Sequence, residues 1–99
     1  MNQTLEQIVD QSIAAYTEAG LLYPVRFQQM RQSYGTKAAL MRLVMSSAEP
    51  KKNPLRMMEL GLEHHTVEAI VVNHPEFNAE PAARAAAKWR LDELRKAKK

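Results

Sequence analysis

Apolar residues recur in this chain at spacings of three, four and seven, which places them along one side of an α-helix. The pattern is clearest in the first segment, where Thr4 and Gln7 have the spacing of a capping box and Gly20 follows the last apolar position. We therefore predict a first helix that ends near Gly20. Its apolar positions are Leu5, Ile8, Val9, Ile13 and Tyr16.

A second and a third helix are predicted on either side of Gly35. Pro24 suits the first turn of the second helix, and Thr36 can cap the third. The apolar face of the second helix is Phe27, Met30 and Tyr34. That of the third is Ala39, Leu40, Leu43 and Val44. Residues 46 to 53 contain turn formers without a helical repeat, so we predict a loop there.

Two short helices are predicted next. Asn53 and Pro54 form a cap and first-turn pair. The apolar stripe that follows is Leu55, Met58 and Leu62, although Gly61 interrupts it. Thr66 can cap a further helix with Val67, Ile70 and Val71 turned inward. The run "AIVV" could also be a strand, but no second alternating segment exists to pair with it, so we predict a helix.

The last helix is predicted to begin at Pro81 and to reach Leu94 or beyond. Its alanines have high helix propensity. We expect its contacts to run through Ala83, Ala87, Leu91 and Leu94, with Trp89 on an adjacent flank. Residues 95 to 99 should fray.

The length of 99 residues, with 45% apolar and 25% charged positions, is typical of one globular domain. The prediction is a single all-α domain over residues 1–99, with five or six short helices. Because these helices differ in length and are joined by tight turns, we do not expect a regular up-and-down bundle.

The chain has no cysteine, which excludes disulfides and thiolate metal sites. Its apolar runs are short and its first 20 residues are acidic and amphipathic, so neither a signal peptide nor a membrane span is expected. The default prediction is a cytoplasmic protein that does not bind membranes.

All three histidines lie between residues 60 and 77, near several glutamates. A metal site on one helix would need ligands three or four residues apart. His64 and His65 have that spacing to Glu68, but a helix restart at Thr66 would misalign them. His74 precedes Pro75, which favours an extended backbone at a helix exit. We predict capping and surface roles, with no metal and no cofactor.

No pattern typical of a catalytic site is present. The glycines are isolated, so there is no phosphate-binding loop, and the serines lack a nucleophile elbow. Tyr16, Tyr23 and Tyr34 could act as acids, but tyrosines at helical spacing more often belong to a core. We expect a protein that is not an enzyme.

Charge alternates along the chain in four blocks: −3 over residues 1–23, +6 over 24–56, −5 over 57–83 and +5 over 84–99. Such blocks can pair with one another in a folded domain or with a polyanion. Pairing within the fold is the favoured interpretation.

Nucleic-acid binding is the alternative, because "FQQMRQSYGTKAALMRLV" has the helix, glycine turn and helix order of a helix-turn-helix. In that interpretation the second helix presents Thr36, Lys37 and Met41 to a groove. The candidate nucleic-acid contacts are Arg31, Lys37, Arg42, Lys51 and Lys52.

The function that we predict is that of a small protein-interaction or regulatory module. Six methionines is a high count, and five of them fall between residues 30 and 58. Thioether side chains suit adaptable binding surfaces. Met41 and Met57 lie off the predicted apolar stripes, and with Trp89 they are the candidate interaction surface, for a protein partner or for self-association.

The middle of the chain resembles a family of small helical domains in bacterial proteins that have no assigned function. The matching pieces are Phe27, Met30, Tyr34 and Gly35, then Ala38, Ala39, Arg42 and Leu43, then "ELGLEHHTVEAIVVNHPEF" and "AAKWRLDEL". The resemblance covers roughly residues 15 to 94, and Met58 stands where the family usually has an aromatic residue. It implies a helical bacterial domain, and it supplies neither an activity nor functional residues.

Overall fold

The computed structural model describes residues 4–21, 23, 25–45 and 52–97, and within these residues it contains helices and no strand. The predicted all-α class is therefore confirmed, including a helix where "AIVV" could have been a strand. The predicted loop at 46–53 falls mostly on residues outside those described, as does Pro24. The helices are α1 Leu5–Glu18, α2 Val25–Tyr34, α3 Thr36–Met45, α4 Lys52–Glu59, α5 Val67–Asn73 and α6 Pro81–Ala97. Short 3-10 turns occur at Glu63–His65 and Pro75–Phe77.

The first helix begins and ends where the local sequence predicts. The backbone N–H of Thr4 donates to Gln7 Oε1 at 2.9 Å, and the Gln7 N–H donates to Thr4 Oγ1 at 3.2 Å, which completes the capping box. Gly20 has φ +75°, a left-handed conformation that favours glycine, and the Leu21 N–H donates to the Tyr16 carbonyl at 2.9 Å. These bonds satisfy backbone N–H and C=O groups that have no hydrogen-bond partner within the helix at its two ends.

The core is built around α6, which packs against α3, α4 and α5. Helix α2 lies mainly on α3, and α1 contacts α3 and α5. The four residues predicted to make the contacts of α6, Ala83, Ala87, Leu91 and Leu94, are all buried. The Cα radius of gyration of 12.4 Å agrees with the value of about 13 Å expected for a folded domain of this length. Helices of 7 to 17 residues packed in this way do not form a regular up-and-down bundle, as predicted.

Three predicted details are wrong. Gly61, with φ +78°, lies beyond the end of α4, so Leu62 falls outside that helix. Tyr34 is 56% exposed instead of facing the core, because it is the last residue of α2. Helix α4 begins at Lys52, so Asn53 lies inside that helix instead of capping it.

Helix α6 is helical as far as Ala97, and Lys98 and Lys99 lie outside the described residues, so the fraying of residues 95 to 99 stays a prediction. The last turn of α6 carries Arg95 and Lys96, whose positive charges are favourable at a helix C-terminus.

Candidate interaction surface

In its first three turns, the side of α6 that points away from the core is mostly alanine, with Lys88 as its exposed charged residue. Trp89 is 48% exposed, and Ala82 and Ala85, seven and four residues before it, are also exposed. Ala86, three residues before Trp89, is half-buried. Residues with these spacings lie on one helix face. We call Ala82, Ala85, Ala86 and Trp89 the α6 outer face.

The rotation of α6 is fixed by its inner side. Ala83, Ala87 and Leu91 are buried there, and Arg90 places its guanidinium inside the fold. Arg90 Nε donates to Glu68 Oε2 on α5 at 3.0 Å, and both side chains are only 4% exposed. A charge that is removed from water needs a partner, so this pair holds Arg90 inward and keeps the neighbouring Trp89 outward.

The two ends of α6 differ in charge. Glu76, which is exposed, and Glu80, which is half-buried, precede its first residue. Arg95 and Lys96 occupy its last turn, each with an acidic residue three positions before it, Asp92 and Glu93. Arg95 donates two bonds to Glu63, each 3.0 Å long, and these bonds together with the charge of Glu63 raise the pKa of Arg95. Lys96 Nζ lies 3.2 Å from Glu93 Oε2, with its side chain 79% exposed.

Two of the three residues predicted to form the exposed patch are not on it. Met57 is fully buried, because α4 is covered both by α6 and by the Glu63–His65 turn, so residues off the predicted stripe are enclosed as well. Met41 is half-buried and packs against the core cluster. Trp89 is exposed as predicted.

Two exposed apolar residues were missed by the sequence reasoning. Met45 is 55% exposed and Leu60 is 43% exposed. Both lie at helix ends: Met45 is the last residue of α3, and Leu60 follows the last residue of α4. Their helix-end positions are the signal that could have identified them.

Arg31 is not available as a nucleic-acid contact. Its Nη2 lies 2.6 Å from Glu6 Oε2 and 3.0 Å from Asp10 Oδ1, while Nε donates to Thr36 Oγ1 at 3.0 Å. Hydrogen bonds from Thr36 and Arg31 hold the pKa of Glu6 below its usual value, and despite the opposing effect of desolvation the bonds to both carboxylates raise the pKa of Arg31. The first acidic block therefore pairs with the first basic block.

The third and fourth charge blocks pair in the same way, through Glu68 with Arg90 and Glu63 with Arg95. Pairing within the fold, the favoured interpretation of the charge pattern, is thus observed among the described residues. It uses three of the basic side chains that a polyanion would otherwise contact.

The helix-turn-helix interpretation is wrong for two of its groove residues. Thr36 is buried and bonded to Arg31, and Met41 packs on the core. In addition, Gly35 alone separates α2 from α3, whereas a helix-turn-helix has a turn of three or four residues.

Other predicted nucleic-acid contacts have different outcomes. Lys37 is half-buried. Arg42 is exposed, with its guanidinium carbon 4.1 Å from the centre of the Tyr34 ring. Lys51 and the side chain of Lys52 lie outside the described part of the chain.

The histidines lie around two helix ends. His64 and His65 are in a 3-10 turn with ring centres 4.0 Å apart, and burial, followed by the proximity of His64, lowers the pKa of His65. Thr66 restarts the helix as predicted, accepting a bond from the Ala69 N–H at 3.2 Å. His74 has the predicted extended backbone, and its Nδ1 accepts from the Glu76 N–H at 3.2 Å. Within the described ranges, no group of three or more histidines and carboxylates is placed to hold a metal ion.

A buried polar cluster joins α1 to the segment that follows α4. Ser12 Oγ lies 2.9 Å from the Tyr23 hydroxyl and donates to the His65 carbonyl. Burial raises the pKa of Tyr23 to about 12 and raises the pKa of Tyr16 further, with the charge of Glu68 adding to both effects. Both hydroxyls therefore stay protonated at neutral pH, as expected of tyrosines that belong to a core.

No helix in the described portion of the chain is both long enough and apolar enough to span a membrane. Comparison with protein-family models, curated proteins and solved structures gives no match.

Proposed function

We propose that this chain is a small cytoplasmic protein-interaction module of bacterial origin, and that it binds another protein chain through the α6 outer face. The cytoplasmic and bacterial parts of this proposal come from the sequence alone. The observation that carries the interaction role is Trp89, a large aromatic side chain 48% exposed on a helix face with three alanines beside it.

The energy available at this face is enough for recognition. Fully burying a tryptophan removes roughly 200 Å² from water, so covering the exposed half of Trp89 would remove about 100 Å². At about 25 cal/mol per Å² this is about 2.5 kcal/mol. Tryptophan is also enriched among the few residues that dominate binding energy at protein interfaces. The alanines allow a partner backbone to approach closely.

Crosslinking from position 89 tests this proposal. A photoreactive amino acid replaces Trp89 in one variant and Gln32, which is exposed on α2, in a matched control. After irradiation of cells that produce each variant, we expect a discrete protein adduct from position 89 and none from position 32. Adducts of equal yield from both positions, or none from position 89, would contradict the proposal.

A second candidate is weak nucleic-acid binding, which the Tyr34 and Arg42 pair favours. An arginine stacked on an exposed aromatic ring can receive a base and a phosphate together. Binding to single-stranded and duplex nucleic acid should be measured at low and high salt for the wild-type protein, for Arg42→Ala, and for Arg56→Ala as an exposed control that pairs with Glu59. This candidate predicts salt-sensitive binding that Arg42→Ala weakens more than Arg56→Ala does. If neither form of nucleic acid binds at low salt, the nucleic-acid-binding candidate is contradicted.

A further inference from the structure

We infer that the chain docked on the α6 outer face is a second copy of this protein, with the two α6 helices antiparallel across a two-fold axis. This inference rests on the function proposed above, since it names the partner of the same surface. Two features of the molecule point to this arrangement: the shape of the face and the charges at the two ends of α6.

The shape of the face is self-complementary, as a two-fold interface requires. One end carries a projecting ring, Trp89, and the other end carries the small side chains Ala82, Ala85 and Ala86. Trp89 and Ala85 are four residues apart, or about 6 Å along the helix axis. A two-fold axis at the level of Ala87 therefore places each Trp89 on the alanines of the other copy. Both rings are covered by the same set of contacts.

The charges select the antiparallel orientation. In that arrangement Lys96 of each copy, whose side chain is 79% exposed, approaches the residues that precede the other α6, where Glu76 is exposed. The opposite-charge contact occurs twice, because the symmetry repeats it. A parallel pair would instead bring the two Lys96 side chains together and the two Glu76 side chains together. The present partner of Lys96 is Glu93, three residues away on the surface, and such pairs are too weak to prevent an exchange.

The size of the face sets the strength of the dimer. Helix α6 has 17 residues, so it is about 25 Å long. One face of such a helix buries less than the roughly 800 Å² per partner of a standard interface. We therefore expect a reversible dimer that forms at high micromolar concentration and weakens as salt is added, because its end contacts are ionic.

Sedimentation velocity on the purified full chain, across a concentration series, tests the inference. The wild-type mass should rise from one to two chains. Ala85→Glu places a charge under the Trp89 ring of the other copy and should keep the protein monomeric. Gln32→Glu makes an equal charge change at an exposed position on α2 and should leave dimerisation unchanged. Circular dichroism and thermal unfolding of each variant establish that it is folded.

A charge exchange tests the orientation. Lys96→Glu should weaken the dimer several-fold, and adding Glu76→Lys to it should restore the wild-type dissociation constant. Restoration follows only if residue 96 of one copy lies near residue 76 of the other. No restoration would overturn the antiparallel arrangement.

The outcomes separate this inference from the proposed function. A wild-type chain that stays monomeric at every concentration, while position 89 crosslinks to a different protein, would overturn self-association and leave the binding role of the face intact. A dimer that Ala85→Glu does not affect would place the self-contact elsewhere. A monomer with no adduct at position 89 would overturn both.

Discussion

Replacing Arg90 with methionine should destabilise the domain severely. The change removes the partner of Glu68, whose side chain is 4% exposed, and leaves its carboxylate inside the fold. Glu68 Oε1 is buried without a hydrogen-bond partner among the described residues, so the carboxylate has little local compensation. Breaking a buried ion pair from one side costs about 3–5 kcal/mol. A domain of this size has a total stability of about 5–15 kcal/mol, so the loss is a large fraction of it.

The assay is urea unfolding followed by circular dichroism. With a slope of about 1–3 kcal/mol per molar urea, a loss of this size lowers the midpoint by roughly 2 M. Arg95→Met is the matched control, because it removes the same charge from the same helix at a pair whose side chains are 53% and 38% exposed. That control should cost less than about 1 kcal/mol. Combining Arg90→Met with Glu68→Leu should recover most of the stability, since no unpaired charge is then buried.

Two results would refute this reasoning. If Arg90→Met and Arg95→Met lower the midpoint equally, burial does not set the cost of breaking the pair. If the double variant is less stable than Arg90→Met alone, the damage comes from lost packing around Arg90 and not from an isolated carboxylate on Glu68.

Three further predictions concern local features of the fold, each measured by thermal or urea unfolding. Thr66→Ala should lower stability by about 1–2 kcal/mol because it removes the cap that accepts from the Ala69 N–H, and an unchanged midpoint would contradict that role. Gly61→Ala should cost about 1 kcal/mol through its φ of +78° alone, since no atom lies within 4 Å of the added Cβ; a neutral result would mean that the turn relaxes. His65 has a lowered pKa in the folded state, so below about pH 6.5 the unfolded chain binds more protons and stability declines as pH falls through the folded pKa. His65→Gln should therefore reduce the loss of melting temperature between about pH 7.5 and about pH 5, and an unaltered profile would assign that loss to other groups.

Local signals in the sequence were sufficient for most helix boundaries. The capping box of Thr4 and Gln7, the cap of Thr66 and the first-turn position of Pro81 each depend on residues within one turn, and the structure confirms all three. Gly20 and Gly35 end helices for the same reason, since both have positive φ. A single sequence carries this information directly because the bonds involved span only a few positions.

Contacts between residues that are distant in the sequence could not be predicted from these local signals. Arg90 lies among exposed-looking lysines and arginines, and only the packing of α5 on α6 shows that it meets Glu68, 22 positions away, inside the core. Met57 illustrates the same limit, because a hydrophobic repeat assumes that one side of a helix is covered, while α4 is covered on two. Trp89 was predicted to be exposed from its place beside the apolar stripe, and it is. The sequence alone did not distinguish Met41 and Met57 from core residues.

Trp89 is the residue through which we propose that this chain binds another chain. It is the single tryptophan of the sequence, so tryptophan fluorescence reports on the α6 outer face alone. Its emission and its quenching by acrylamide should be recorded over the concentration range in which the mass of the purified protein changes. We expect the emission to move to shorter wavelength and quenching to fall as dimers form. An emission spectrum and a quenching constant that stay the same while the mass doubles would contradict the assignment of this face as the interface.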